Sequence, residues 1–162
     1  MDNKDAKQCH RLFLSELATM VVCGYLVYLL STTLEGGLDI RLILPGAVLI
    51  FTLFQGCGYW LYRDQAASGK SVNRTTVLRI FSLLKRVTPV VIGLYPLFLL
   101  VLLFADRGAL FVPFNLFGLI LLFFSIAEYV NYYYFSMNIW NFKTRSPSDL
   151  SIELAAFNQK EE

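Results

Sequence analysis

The stretch LILPGAVLIFTLFQGCGYWLY, residues 42–62, contains no charged side chain and closes with the aromatic residues Tyr59, Trp60 and Tyr62. A helix needs about 20 predominantly apolar residues to cross a hydrocarbon core about 30 Å thick. Tyrosine and tryptophan are enriched where such a helix reaches the membrane–water interface. We therefore predict a transmembrane helix at residues 41–62.

Three further apolar runs have the length of a span: residues 12–33, 87–105 and 110–135. Hydrophobic residues form 56% of the chain and charged residues 16%, against about 45–50% and about 25% in typical soluble proteins. The first run is too long for the apolar core of a cleavable signal peptide. We predict an all-α integral membrane protein, a four-helix bundle of two antiparallel hairpins that occupies residues 12–141.

Basic residues are distributed unevenly among the segments that flank the spans. Twelve of the fourteen lysines and arginines lie in residues 1–11, in the loop 63–86 or in the tail 142–162. The remaining two, Arg41 and Arg107, lie at the other connections. Short positively charged segments stay on the cytoplasmic side. We therefore predict a protein of the plasma (inner) membrane with both termini in the cytoplasm.

Two cytoplasmic segments have helical patterns of their own. In residues 75–87 the apolar side chains recur at helical spacing opposite Arg79 and Arg86, which predicts a basic amphipathic helix lying on anionic inner-leaflet lipids. Ser146 as N-cap, followed by Pro147, predicts a short helix in the tail. The apolar stripe of that helix consists of Leu150, Leu154 and Phe157. This stripe either docks on the protein's own cytoplasmic face or binds a cytoplasmic protein partner.

Ionisable side chains inside apolar spans are costly and mark candidate functional sites. Glu16 lies in the first span and Glu128 near the end of the fourth. Since these helices run in opposite directions, we expect both carboxyl groups near the cytoplasmic interface. Neighbours at helical spacing predict one polar cluster there. Its members are Glu16, Thr19, Gln55, Tyr59, Arg63, Lys85, Arg86, Ser125, Glu128, Asn131 and Tyr132.

The cluster has three interpretations: structural pairing between helices, a ligand or ion site, and proton handling. Glu128 and Asn131 are its central pair, because i,i+3 spacing brings both side chains to one place on the helix surface. The opposite half of the spans contains few polar side chains, such as Asn115. This scarcity of polar side chains argues against a channel formed by one subunit, although it allows a pore between subunits.

Catalytic chemistry is not visible in this sequence. We find no P-loop, no HExxH and no nucleophile elbow, so we predict no enzyme activity. A single histidine and three scattered cysteines predict no metal or cofactor, and the spread of basic residues predicts no nucleic-acid partner. The leading hypothesis is a membrane protein that acts through assembly or partner binding at its cytoplasmic face, as a subunit, sensor or effector of a larger system. Its partner would be a second copy, in a homo-oligomer, or a cytoplasmic protein. The alternative is an oligomeric channel or transporter for ions or small solutes, with Glu16 and Glu128 at its cytoplasmic mouth.

Overall fold

The computed structural model describes residues 3–35, 39–105, 112–136 and 146–161. Within these ranges the chain is almost entirely helical. The elements are α1 (Asn3–Glu35), α2 (Ile40–Ala67), α3 (Arg74–Ala105), α4 (Pro113–Tyr133), β1 (Phe135–Ser136), β2 (Ser146–Pro147) and α5 (Asp149–Glu161). The two short strands pair antiparallel.

Four of the helices are long and apolar enough to cross a membrane. They are Lys7–Thr33, Ile40–Ala67, Arg74–Ala105 and Pro113–Tyr133. Large hydrophobic side chains are exposed along them, for example Val90 at 68% and Phe123 at 68%. A soluble monomer rarely exposes so much contiguous apolar surface, whereas lipid tails solvate it. The prediction of an all-α fold with four helices long and apolar enough to cross a membrane is confirmed.

Helix α2 lies at the centre of the described contacts, since it packs against α1, α3 and α4. Its pairing with α1 is antiparallel: His10 Nδ1 lies 3.2 Å from Asp64 Oδ2, and Gly46 packs against Val27 near the other end. Its pairing with α4 is parallel. Gly56 of α2 leaves space for a tyrosine near the end of α4, as described below.

Helix α3 is continuous, so the predicted separate amphipathic helix at residues 75–87 is its first part. Proline has no N–H, and Pro89 therefore leaves the carbonyl of Lys85 without its helical donor. The hydroxyl of Tyr129 on α4 donates to that carbonyl at 2.9 Å. A neighbouring helix thus supplies the missing hydrogen bond, and α3 passes through Pro89 without ending.

We expect Tyr129→Phe to destabilise the packing of α3 on α4 by about 1 kcal/mol, because the Lys85 carbonyl loses its donor. Thermal unfolding in detergent measures this effect. In a Pro89→Ala background the same substitution should cost clearly less, since residue 89 then has an N–H of its own. An equal cost of Tyr129→Phe in both backgrounds would contradict this role.

Helix α5 begins later than predicted, because Ser148 and not Ser146 caps it. The Ser148 hydroxyl accepts a hydrogen bond from the N–H of Ser151 at 3.1 Å and donates one to the carbonyl of Tyr132. Ser146 and Pro147 form β2 instead. This strand pairs with β1, which begins eleven residues earlier in the chain, and a pattern of local sequence does not predict such a pairing.

The apolar stripe of α5 docks on the protein itself. Leu150 and Leu154 are each 2% exposed, and both belong to the core formed with Leu78, Phe81 and Tyr133. Phe157 packs against the same core. Of the two alternatives for this stripe, docking on the protein's own helices is the one that the structure has.

Candidate functional site

Seven of the eleven residues predicted as one polar cluster fall into three groups. We call them the acid group (Glu16, Glu128, Asn131 and Tyr132), the amide node (Gln55, Thr88 and Tyr133) and the clamp (Tyr59, Arg63 and Glu153). Three members were not predicted: Thr88, Tyr133 and Glu153. All three groups lie toward the end of the helices where α5 docks.

The acid group joins α1 to α4. Glu16 on α1 acts electrostatically on Glu128 on α4, and the Asn131 side chain hydrogen-bonds Glu128, as their spacing predicts. The hydroxyl of Tyr132 lies beside Glu16. Tyr132 is only 5% exposed, and within the described ranges its hydroxyl and Glu128 Oε2 are buried without a hydrogen-bond partner of good geometry.

Tyr132 reaches this position because α2 has a glycine opposite it. A Cβ atom on Gly56 would lie 2.1 Å from the Tyr132 hydroxyl and 2.3 Å from the ring carbon that bears it. Both distances are far below any real carbon contact. Gly56 is therefore a steric requirement of the acid group, although it contributes no functional atom.

The amide node links α2, α3 and α4. Gln55 Nε2 donates to the Thr88 hydroxyl at 3.1 Å, and the Tyr133 hydroxyl donates to Gln55 Oε1 at 2.7 Å. The Thr88 hydroxyl donates in turn to the carbonyl of Leu84 at 2.7 Å. Gln55, Thr88 and Tyr133 are nearly inaccessible to solvent, so their hydrogen-bonding groups have each other as partners.

We expect Gln55→Leu to destabilise the protein by about 1–3 kcal/mol, because it leaves the buried hydroxyl of Tyr133 without its acceptor. The triple variant Gln55→Leu, Thr88→Val, Tyr133→Phe should recover most of that loss, since no buried polar group then lacks a partner. Thermal unfolding of both variants in the same detergent checks this. A triple variant less stable than the single one would show that the amide node stabilises the protein by more than supplying its three residues with hydrogen-bond partners.

The clamp fixes α5 to α2. Arg63 Nη1 lies 2.9 Å from Glu153 Oε1 and donates to the Tyr59 hydroxyl at 3.1 Å. That hydroxyl donates to Glu153 Oε1 at 3.2 Å. From α3, Arg74 Nη2 lies 3.5 Å from Glu153 Oε2. Glu153 shares the buried face of α5 with Leu150 and Leu154, and an acidic residue within that apolar stripe is the signal that could have identified it.

Four predicted members lie outside these groups. The hydroxyls of Thr19 and Ser125 donate to the carbonyls of Ser15 and Leu121, one turn earlier in their own helices. The ammonium of Lys85 lies 4.7 Å from the ring centroid of Tyr134. Arg86 is exposed.

Comparisons with protein-family models, with curated proteins and with solved structures found no match. In residues 3–35, 39–105, 112–136 and 146–161, no three histidine, cysteine or acidic side chains are close enough to hold a metal ion.

The opposite end of the helices holds a smaller set of polar contacts. Asp39 caps α2 by accepting the N–H of Arg41 at 2.8 Å, and the guanidinium of Arg41 pairs with the Asp39 carboxylate. The Tyr95 hydroxyl donates to the carbonyl of Asn115 at 3.4 Å. Between the two ends α2 buries apolar side chains, including Val48, Leu49 and Leu53.

A cleft lies beside the clamp, where α2 ends and α3 begins. It has a volume of about 360 Å³, and Arg63, Lys70, Arg74 and Glu153 contribute its charged groups. Lys70 is exposed, whereas the carboxylate of Glu153 pairs with the two arginines. With one acidic and three basic groups, the cleft has a positive balance.

Proposed function

We propose that this protein is a membrane subunit or effector, with both termini in the cytoplasm, that binds a cytoplasmic protein partner through the face built by α5 and the ends of α2 and α3. The observation that carries the proposal is the basic cleft beside the docked helix. Its positive balance and its volume suit an acidic side chain or an acidic chain terminus of a partner.

The clamp prepares this face for binding. By holding α5 in place before a partner arrives, it reduces the conformational entropy that binding must overcome. The asymmetry of basic residues in the sequence supports the cytoplasmic location of the same face. The apolar middle of α2 supports a role in binding over a role in transport by one copy.

Crosslinking from the cleft in intact cells tests the proposal. A photoreactive side chain placed at Val72, which lines the cleft, should capture a discrete partner that co-purifies in mild detergent. Lys70→Glu should reduce the captured amount about tenfold, the loss expected for one charge-assisted contact. Lys7→Glu, a control at an exposed position outside the cleft, should leave it unchanged. A protein that stays monomeric and yields no crosslink from this position would refute the proposal.

A second candidate function is an ion or small-solute pathway formed by several copies. The observation in its favour is the pairing of Glu16 with Glu128 inside the spanning segments, where ionisable groups often mark transport paths. Glu128→Gln should then change flux in reconstituted vesicles, and Asp149→Asn, outside the spans, should not. Unaltered permeability would end this alternative.

A further inference from the structure

An apolar groove runs along the helices between α1 and α4. Helix α2 contributes Leu49 and Leu53 to it, α1 contributes Leu26 and Leu30, and α4 contributes residues that include Phe117. Its volume is about 360 Å³. Thr19 lines one end of the groove and Leu30 the other on α1, so it extends about 16 Å along the helix axis at a rise of about 1.5 Å per residue.

The acid group lies at one end of this groove. Glu128 lines the groove together with Thr19, and Glu16 and Tyr132 lie beside Glu128. Tyr132 is more than nine-tenths buried, and within the described ranges neither its hydroxyl nor Glu128 Oε2 has a hydrogen-bond partner of good geometry. This end therefore offers a buried acceptor oxygen, Glu128 Oε2, that the rest of the described chain does not use.

Within the described residues, no lysine or arginine acts on the carboxyl groups at this end. Glu16 acts electrostatically on Glu128, and Tyr132 and Asn131 are the polar neighbours of the two carboxyl groups. Two carboxyl groups that repel each other are both relieved by a cation placed between them. A primary ammonium suits the site because it carries one positive charge and three donors and no acceptor.

The length and volume of the groove indicate which kind of apolar group can occupy it. A length of about 16 Å is close to half of a hydrocarbon core about 30 Å thick, which is the depth of one leaflet. A helix about 10 Å in diameter would need about 1,300 Å³ over that length, several times the volume available. A single alkyl chain fits, and the groove volume falls within the range of about 300–1,000 Å³ for small-molecule sites.

We propose that the groove binds a single-chain amphiphile with a protonated amine head group, its alkyl chain between α1 and α4 and its ammonium between Glu16, Glu128 and Tyr132. The ligand would enter sideways from the membrane. This site is separate from the basic cleft, which suits a ligand of the opposite charge. A negative result for one proposal would therefore leave the other untouched.

Photolabelling of the full chain in lipid nanodiscs tests this proposal. The probes are hexadecylamine and hexadecanol, each with the same photoreactive group in the alkyl chain. The amine should label groove residues of α1 and α4 saturably, and unlabelled hexadecylamine should compete. Glu16→Gln with Glu128→Gln should reduce saturable labelling by the amine about tenfold or more, as expected for loss of charge-assisted hydrogen bonds, without changing labelling by the alcohol.

Two controls keep the outcome decisive. Asp149→Asn, a carboxylate outside the groove, should label as the unmodified protein does. The single variant Glu128→Gln should give an intermediate loss, and its thermal unfolding reports whether the fold is intact. Equal labelling by amine and alcohol, amine labelling that survives both Gln substitutions, or a groove occupied by a helix of a second copy would each overturn the proposal.

Discussion

Gly56→Ala is expected to lower the melting temperature of the protein in detergent by several degrees. The new Cβ would lie 2.1–2.8 Å from three atoms of the Tyr132 side chain, which is itself buried between α1, α2 and α4. Overpacking of a tight contact costs up to about 3 kcal/mol, which corresponds to about 6–12 °C in a chain of this size.

The matched control lies two residues further along the same helix. A Cβ on Gly58 would meet only Phe81 Cζ, at an ordinary 3.8 Å. Since alanine favours a helix over glycine by about 1 kcal/mol, Gly58→Ala should leave the melting temperature unchanged or raise it. A similar loss in both variants would show that α2 needs flexibility here and not space.

Whether Tyr132 is the side chain that the new Cβ contacts can be tested as well. In a double-mutant cycle, Tyr132→Leu should remove most of the additional cost of Gly56→Ala, because the branched side chain ends before the position of the phenol ring. Coupling energies between residues in contact are about 0.5–3 kcal/mol. Additive losses would mean that Gly56→Ala disturbs a contact other than Tyr132.

Glu153→Lys is expected to detach α5 from the rest of the protein. The substitution replaces an acceptor of three hydrogen bonds or ion pairs with a cation that faces both Arg63 and Arg74. The pair is partly exposed, with side-chain accessibilities of 28% for Arg63 and 15% for Glu153. The expected loss of stability is therefore about 1–3 kcal/mol, less than for a fully buried pair. Amide exchange in α5 should accelerate about 10- to 100-fold, as expected for that loss of local stability.

Hydrogen exchange read out by mass spectrometry measures this effect peptide by peptide. Gln159→Lys places a lysine on an exposed position of the same helix and should leave exchange near that of the unmodified protein. Exchanging the two charges, with Arg63→Glu and Glu153→Arg together, should restore part of the protection. Unchanged protection in Glu153→Lys would show that Leu150 and Leu154 alone hold the helix.

Loss of the clamp also connects to the proposed function. If a docked α5 completes the partner-binding face, Glu153→Lys should weaken crosslinking from Val72 even though that position is unaltered. Labelling of the groove by hexadecylamine should persist in the same variant, since Glu16 and Glu128 belong to α1 and α4 and are not part of the clamp.

Much of the candidate site could be predicted as a set of residues but not as a set of contacts. Glu16, Glu128 and Gln55 are conspicuous because polar side chains are rare in apolar spans. The sequence does not reveal their partners, since Gln55 forms hydrogen bonds with Thr88 and Tyr133 on two other helices. Helices this apolar give little periodic signal of which face turns inward, so the single predicted cluster became three groups.

The amino-acid sequence by itself determined the four membrane-length helices, because the length and apolarity of a span are local properties set by the thickness of the hydrocarbon core. Only the tertiary structure decided that α3 continues through Pro89, that Ser148 starts α5, and that Glu153 closes the clamp. Each of these depends on a hydrogen-bonding group brought from a distant segment: the hydroxyl of Tyr129, the carbonyl of Tyr132 and the guanidinium of Arg63. A polar group in an apolar environment takes whichever partner the packing places within reach, and that choice exists only once the helices have met.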